Sequence, residues 1–305
     1  MQQNVFGNQQ SSTGGRRGGI RWWVILLFAA YAAWSWFGNS EPDPFTGEKA
    51  HYGATTDEEA QMGLQAFQQV LSEERPLADN DPNVIVVTEI AKRLVNVASQ
   101  VEADLAAENN MASPKLAETF QWSVAVLESP QANAFCLPGG KMAVYTGLIP
   151  VVQNNNGINQ DAMAVVMGHE IAHALLRHGS QRMAQQKLVQ MGQMAAGIAI
   201  GDMDPAQQQM VMSALGAGTQ YGAVLPFGRS HETQADEVGL MLAAAACFNP
   251  KEAIPLWERM SQLNGGQRPP EFASTHPDPA NRIAHLQSLM PKAEKYYAKY
   301  CGAGK

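Results

Sequence analysis

His169-Glu170-Ile171-Ala172-His173 lies in the middle of a segment with helical pattern. One helical turn separates the two histidines, so both imidazoles project from one face, about 6 Å apart along the axis. That spacing lets two ring nitrogens hold a single Zn²⁺, and Glu170, beside the first histidine, can reach a water on the metal. A five-residue pattern also arises by chance, so its surroundings decide its meaning.

A hydrolytic zinc site uses three protein ligands and leaves one position open. The third ligand separates the classes. A metzincin would carry Gly at 176 and His at 179, where this chain has Leu176 and Gly179. His178 is five residues from His173 and on another face, where its expected role is to stabilise the negative end of the helix. Downstream, Glu232-Thr233-Gln234-Ala235-Asp236 places two carboxylates at i and i+4 on one face of an expected helix. Glu232 is the expected third ligand. Asp236 is expected to accept the outer ring N–H of a ligand histidine and fix its tautomer. Ala235 is small enough to let two helices approach. His231 points roughly 100° away from Glu232 and is a poor substitute. The competing reading of the acidic pair is a solvated helix face.

The surrounding pattern is mostly helical. Thr55 or Thr56, with Glu58 or Glu59 three residues on, opens a helix to about 72 through a capping box. A second fits 83–104, striped by Val84, Val87, Ile90, Leu94 and Val97. Residues 119–127 alternate as a strand, and 133–136 with 142–146 form a hairpin around Pro138-Gly139-Gly140. A helix from about Asp161 carries both histidines. Further helices fit 182–200, 205–219, 230–247 and 251–264, and the last starts at Pro279 after Asp278. The apolar stretch Met194–Gly201 is too short to span a bilayer; it belongs to a core helix pair, or it touches a membrane surface.

Residues 1–19 are Gln, Asn, Gly and Ser with two Arg, a disordered composition. Residues 20–38 contain the apolar run WWVILLFAAYAAWSWF, flanked by aromatics and preceded by Arg21, and read as a short transmembrane anchor. A cleaved signal peptide ending near Ala30-Tyr31-Ala32 is the alternative. Residues 39–54 form a linker, and 55–305 one metal-binding domain.

The chain has 305 residues, 45% of them hydrophobic, enough for one substantial core. Residues 1–40 carry three Arg and no acid, which leaves 18 basic and 28 acidic residues in the remainder. So acidic a body argues against nucleic acid as a partner. Basic residues before the apolar run put that side in the cytoplasm and the body across the membrane. Many of the 15 Met residues lie between 183 and 260, as core filler or as a groove for unfolded chains. Cys136, Cys247 and Cys301 are too few for a disulfide scaffold. One bridge, most simply Cys247–Cys301, can form in an oxidising compartment, and Cys136 reads as a buried thiol.

Several ordered pieces resemble one family. They are Asn133-Ala134-Phe135, Pro138-Gly139-Gly140-Lys141, Thr146-Gly147-Leu148, the HEIAH run with Arg177-His178, the ETQAD run, and His276-Pro277 with Arg282. Over residues 55–290 the chain resembles the zinc metallopeptidases that include HtpX, the Ste-type CAAX prenyl proteases and their periplasmic relatives. The resemblance implies an α+β, mainly helical, zincin-like domain with a small sheet or hairpin. It implies Zn²⁺ on His169, His173 and Glu232, with Glu170 as base. A single N-terminal span, in place of several, favours protein quality control over CAAX processing. The expected setting is a bacterial inner membrane with the domain facing the periplasm. The expected partners are unfolded or damaged polypeptides and, through the N-terminal anchor, the membrane.

A second donor must meet the oxyanion, and His276, held extended by Pro277, is the candidate, with Arg282 in reserve. His276 could instead close the open zinc position in a resting state. Substrate is expected to add as a strand along Asn133–Cys136 or Met142–Tyr145, with Asn133 bonding its backbone. The alternative to a zinc endopeptidase is a holdase or assembly factor whose zinc site is normally shut.

Overall fold

The computed structural model describes residues 20–38, 40–220, 224–264 and 282–302. The expected disordered tail, His276 and the helix start at Asp278-Pro279 lie outside the described residues.

Local sequence signals set most element boundaries. After α1 (Trp22–Gly38), a short β1 (Glu41–Pro42) and β2 (Lys49–Ala50) pair antiparallel. Helix α2 (Thr56–Glu73) opens on a complete capping box: the Thr55 side chain accepts from the Glu58 amide, and the Glu58 carboxylate accepts from the Thr55 amide at 2.8 Å. Helix α3 (Pro82–Glu108) starts on Asp81 as cap, with Pro at its first position.

The alternating stretch expected from 119 becomes a strand only at Ser123. Leu116–Thr119 form a helical turn, α4, because the buried Glu102 carboxylate accepts from the amides of Leu116 (2.7 Å) and Ala117 (2.9 Å). Then come β3 (Ser123–Leu127), β4 (Ala134–Leu137) and β5 (Lys141–Tyr145). The β4–β5 hairpin turns at Gly139 and Gly140, both with positive φ. The sheet order is β3-β5-β4, with β5 parallel to β3 and antiparallel to β4. Of the two runs expected to receive substrate, Met142–Tyr145 is therefore the central strand, paired on both sides. Of these two strands only β4 lies at an edge of the sheet, as β3 does on the other side.

Short helix α5 (Ile149–Val152) and the β6 (Gln153–Asn154) and β7 (Gly157–Ile158) pair lead to α6 (Gln160–Leu175), capped by Asn159. This helix carries both motif histidines and is buried around most of its circumference, against β4, α3, α9 and α10. Then follow α7 (His178–Ile200), α8 (Pro205–Thr219), α9 (Leu225–Ala245), α10 (Ala253–Asn264) and α11 (Arg282–Cys301). Helix α9 packs along α6, and α11 packs on α9. Cys247 and Cys301 form a disulfide that joins the ends of these last two helices, and Cys136 is a buried thiol in β4.

The helices α1, α7 and α8 form a separate layer. Arg21 binds Asp202 through a forked pair at 2.8–3.1 Å and ties the start of α1 to the α7–α8 turn. The α7–α8 hairpin is not the core pair expected from its apolar composition: α8 buries no residue, and Met194, Ile198 and Met210 are more than half exposed. The methionines thus divide, with Met163, Met167, Met241 and Met260 filling the core. Helix α1 leaves Trp22, Trp23, Leu26, Leu27, Trp34 and Phe37 exposed. It has 17 residues, which at 1.5 Å per residue gives about 26 Å, short of the roughly 30 Å hydrocarbon core. Among the described residues no helix is long and apolar enough to cross a membrane.

Candidate metal centre

Two helices build the site. From α6 come His169 and His173, one turn apart; from α9 comes Glu232. His169 Nε2 stands 3.0 Å from His173 Nε2 and 3.2 Å from one Glu232 oxygen, and His173 Nε2 stands 3.5 Å from the other. Ligands about 2.0 Å from a tetrahedral ion lie about 3.3 Å apart, so the two ring nitrogens and the Glu232 carboxylate have the spacing of ligands around one zinc ion. They are the described His, Cys, Asp and Glu atoms grouped tightly enough to hold a metal. Glu170 is buried beside them, and its charge reaches Cys136 in β4, adding to the burial that pushes that thiol well up.

Asp236 sits where the sequence predicts, with Oδ1 3.0 Å from His169 Nδ1. Burial alone would lower the pKa of His169. The hydrogen bonds and charges of Asp236 and Glu232 outweigh it and raise that pKa to about 9. The pocket thus carries surplus negative charge that a cation at the three donors would balance.

Arg282 donates to Asp236 Oδ1 at 2.6 Å, and its guanidinium lies 3.3 Å over the Trp257 ring. Its Nη2 thus clamps Asp236 behind His169, while its Nη1 lies 3.6 Å from Glu232 Oε2, on the side of the donor group. Asn133 lies at the start of the β4 edge, where its Oδ1 accepts from the Ala134 amide at 2.9 Å. His231 is buried away from the three donors. Its ring stacks on His178 at 4.0 Å, and burial lowers its pKa to about 4.

His178 corrects the sequence reading. It does not sit at the negative end of α6 but begins α7, buried, with Nδ1 2.8 Å from His173 Nδ1 and Nε2 3.0 Å from Gln234 Oε1. Burial, reinforced by His231, holds its pKa well below the ordinary value. The turn that swings it inward is made by Arg177, a left-handed residue at φ 55°. Arg177 is fixed by an ion pair to Glu59 at 2.6 Å, a bond to the Ala54 carbonyl at 2.8 Å and the Tyr52 ring at 3.9 Å. No Gly or Pro marks that turn; the adjacent Arg177-His178 pair is the only local hint.

A buried helix offering two histidines, crossed by a second offering a carboxylate, with a further acid beside the first ligand, defines a zincin-like metallohydrolase. The pattern of peptidase family M48 matches residues 92–290. The chain is 30% identical over 275 residues to the mitochondrial metalloendopeptidase OMA1 of Schizosaccharomyces pombe, covering 89% of this chain and 73% of that protein. It is 29% identical over 285 residues to the mitochondrial metalloendopeptidase OMA1 of Homo sapiens, covering 88% of this chain and 49% of that one. It is also 28% identical over 169 residues to the beta-barrel assembly-enhancing protease of Escherichia coli, covering 53% of this chain and 33% of that protein. The chain belongs to peptidase family M48, and it is a zinc metalloendopeptidase by family and by donor set. The expected resemblance to zinc metallopeptidases holds at the level of this family.

One expectation is overturned. Relatives matched over 88–92% of this chain carry mitochondrial names, so the setting in a bacterial inner membrane with the domain facing the periplasm is withdrawn.

Proposed function

We propose that this protein is a quality-control endopeptidase that cleaves misfolded or misassembled membrane polypeptides, bound as a strand along β4. The carrying observation is the convergence of His169, His173 and Glu232 beside the buried Glu170, next to the edge strand β4. Zinc on those three ligands supplies a Lewis acid that polarises a peptide carbonyl and makes water acidic enough to attack near neutral pH. Glu170 takes the proton of the attacking water and passes it to the leaving amine. Asp236, backed by Arg282, orients His169. His276 supplies a hydrogen bond as negative charge grows on the carbonyl oxygen.

Backbone pairing along β4 gives affinity with little demand on substrate sequence, which suits a protease for damaged chains. Asn133 stands at the entry to that edge and contributes a hydrogen bond to the substrate backbone. The exposed aromatic and aliphatic side chains of the α1–α7–α8 layer form the face that rests against a bilayer, as aromatic side chains do at membrane interfaces. The E. coli relative is named a beta-barrel assembly-enhancing protease, which supports the link to polypeptides that fail to assemble.

Incubation of the full chain with a casein-like unfolded polypeptide and with a stably folded control tests the reading. Cleavage of the unfolded substrate, abolished by chelation and restored by zinc, is expected. Protection of the unfolded chain from aggregation with no cleavage at any zinc level would replace the protease with a holdase.

A further inference from the structure

Behind His173 the structure contains a run of hydrogen bonds with a single direction. Glu48, in the β1–β2 segment, accepts from Gln234 Nε2 at 2.6 Å. An ionised carboxylate only accepts, so Gln234 must present its amide nitrogen there and its oxygen to the other side. That oxygen lies 3.0 Å from His178 Nε2, which must then carry the proton. His178 Nδ1 faces His173 Nδ1 at 2.8 Å, a contact that holds one proton. With that proton on His173 Nδ1, His178 Nδ1 accepts and the His173 lone pair is on Nε2, the atom aimed at Glu232 and His169.

We infer that His178, oriented by Gln234 and Glu48, is a positioning residue that fixes the tautomer and ring orientation of the metal ligand His173. It does for His173 what Asp236 does for His169. The two ligands differ in kind: His169 leans on a carboxylate, His173 on a second imidazole. The ring plane of His178 is set by the parallel His231, stacked at 8°, whose Nε2 lies 3.2 Å from Gln181 Oε1. Gln181 in turn donates to the Leu176 carbonyl at 2.8 Å, at the end of the motif helix. Through Glu48 the chain also reaches the β1–β2 segment that precedes α2.

This inference rests on His173 being a zinc ligand. The test uses the full chain loaded with Co²⁺, followed by its visible spectrum and by competition with a chelator, alongside thermal melting of the metal-free protein. His178→Asn keeps an acceptor near the position of Nδ1; His178→Leu fills the space without one. The Leu variant should bind cobalt about 10–100-fold more weakly, with an altered spectrum, while its metal-free form melts no lower than that of the Asn variant. The Asn variant should stay within about 3-fold of the wild type. Equal cobalt affinity in the Leu variant and the wild type, or a loss in the Asn variant as large as in the Leu variant, would overturn the positioning role. A metal affinity that simply follows melting temperature across the variants would also overturn it. A wild-type protein that takes up no cobalt would instead remove the metal-centre reading itself.

Discussion

Gly168 and Gly239 meet where the two ligand-bearing helices cross. A Cβ on Gly239 would stand 2.6 Å from the His169 amide nitrogen, and one on Gly168 would stand 2.7 Å from the Gly239 carbonyl oxygen. Backbone therefore lies against backbone at the residue preceding the first ligand. This contact, more than the small Ala235, sets how far His169 lies from Glu232 and Asp236.

Gly239→Ala should force the helices apart, because the obstructing atoms are main chain and cannot rotate away. The expected cost is about 3 kcal/mol or more, at the upper end for overpacking, together with loss of bound zinc. Urea unfolding and metal analysis would show it. A variant with wild-type stability and full zinc content would mean that the helices are not set by this crossing.

Glu232→Ala should lose zinc, whereas His231→Ala should keep most of it, since His231 stacks on His178 and lies outside the donor group. Metal content after dialysis distinguishes them. Equal loss in both variants would assign His231 a ligand role that its geometry denies.

Asp236→Ala should weaken zinc binding by about 10–100-fold, as loss of a partner behind a ligand histidine does. Arg282→Met should act on stability instead. It leaves Asp236 buried without its cation, at a cost of about 3–5 kcal/mol. The measurements are chelator competition for the first and denaturant melts for the second. Similar effects on both quantities in both variants would contradict the division of labour.

How much of this is legible in the sequence depends on range. The HExxH and ExxAD patterns are readable because i,i+4 spacing is local and fixes a shared face whatever the tertiary setting. The capping box at Thr55–Glu58 and the Pro138-Gly139-Gly140 turn are readable for the same reason. The Arg177 turn is not, because its left-handed backbone is imposed by Glu59, Ala54 and Tyr52, more than 100 residues away. Sequence reasoning accordingly puts His178 at a helix end when it lies behind a ligand. Apolar composition also misleads at α7–α8, since hydrophobic content alone does not say whether its partner is protein core or another phase.

His276→Ala should lower turnover by roughly 10²–10³-fold with zinc retained, the usual cost of losing an oxyanion donor. Steady-state peptide cleavage reads the outcome. A rise in activity would show instead that His276 occupies the open zinc position at rest.

Glu170→Gln tests the central claim most directly. The substitution keeps the size and burial of the side chain and removes its ability to take a proton, and Glu170 lies outside the three-donor group. Zinc content, melting temperature and hydrolysis of an unfolded polypeptide should be measured on the same preparation. The account predicts stoichiometric zinc, an unchanged fold and hydrolysis reduced to background; cleavage near the wild-type rate by the zinc-loaded Glu170→Gln variant would contradict it.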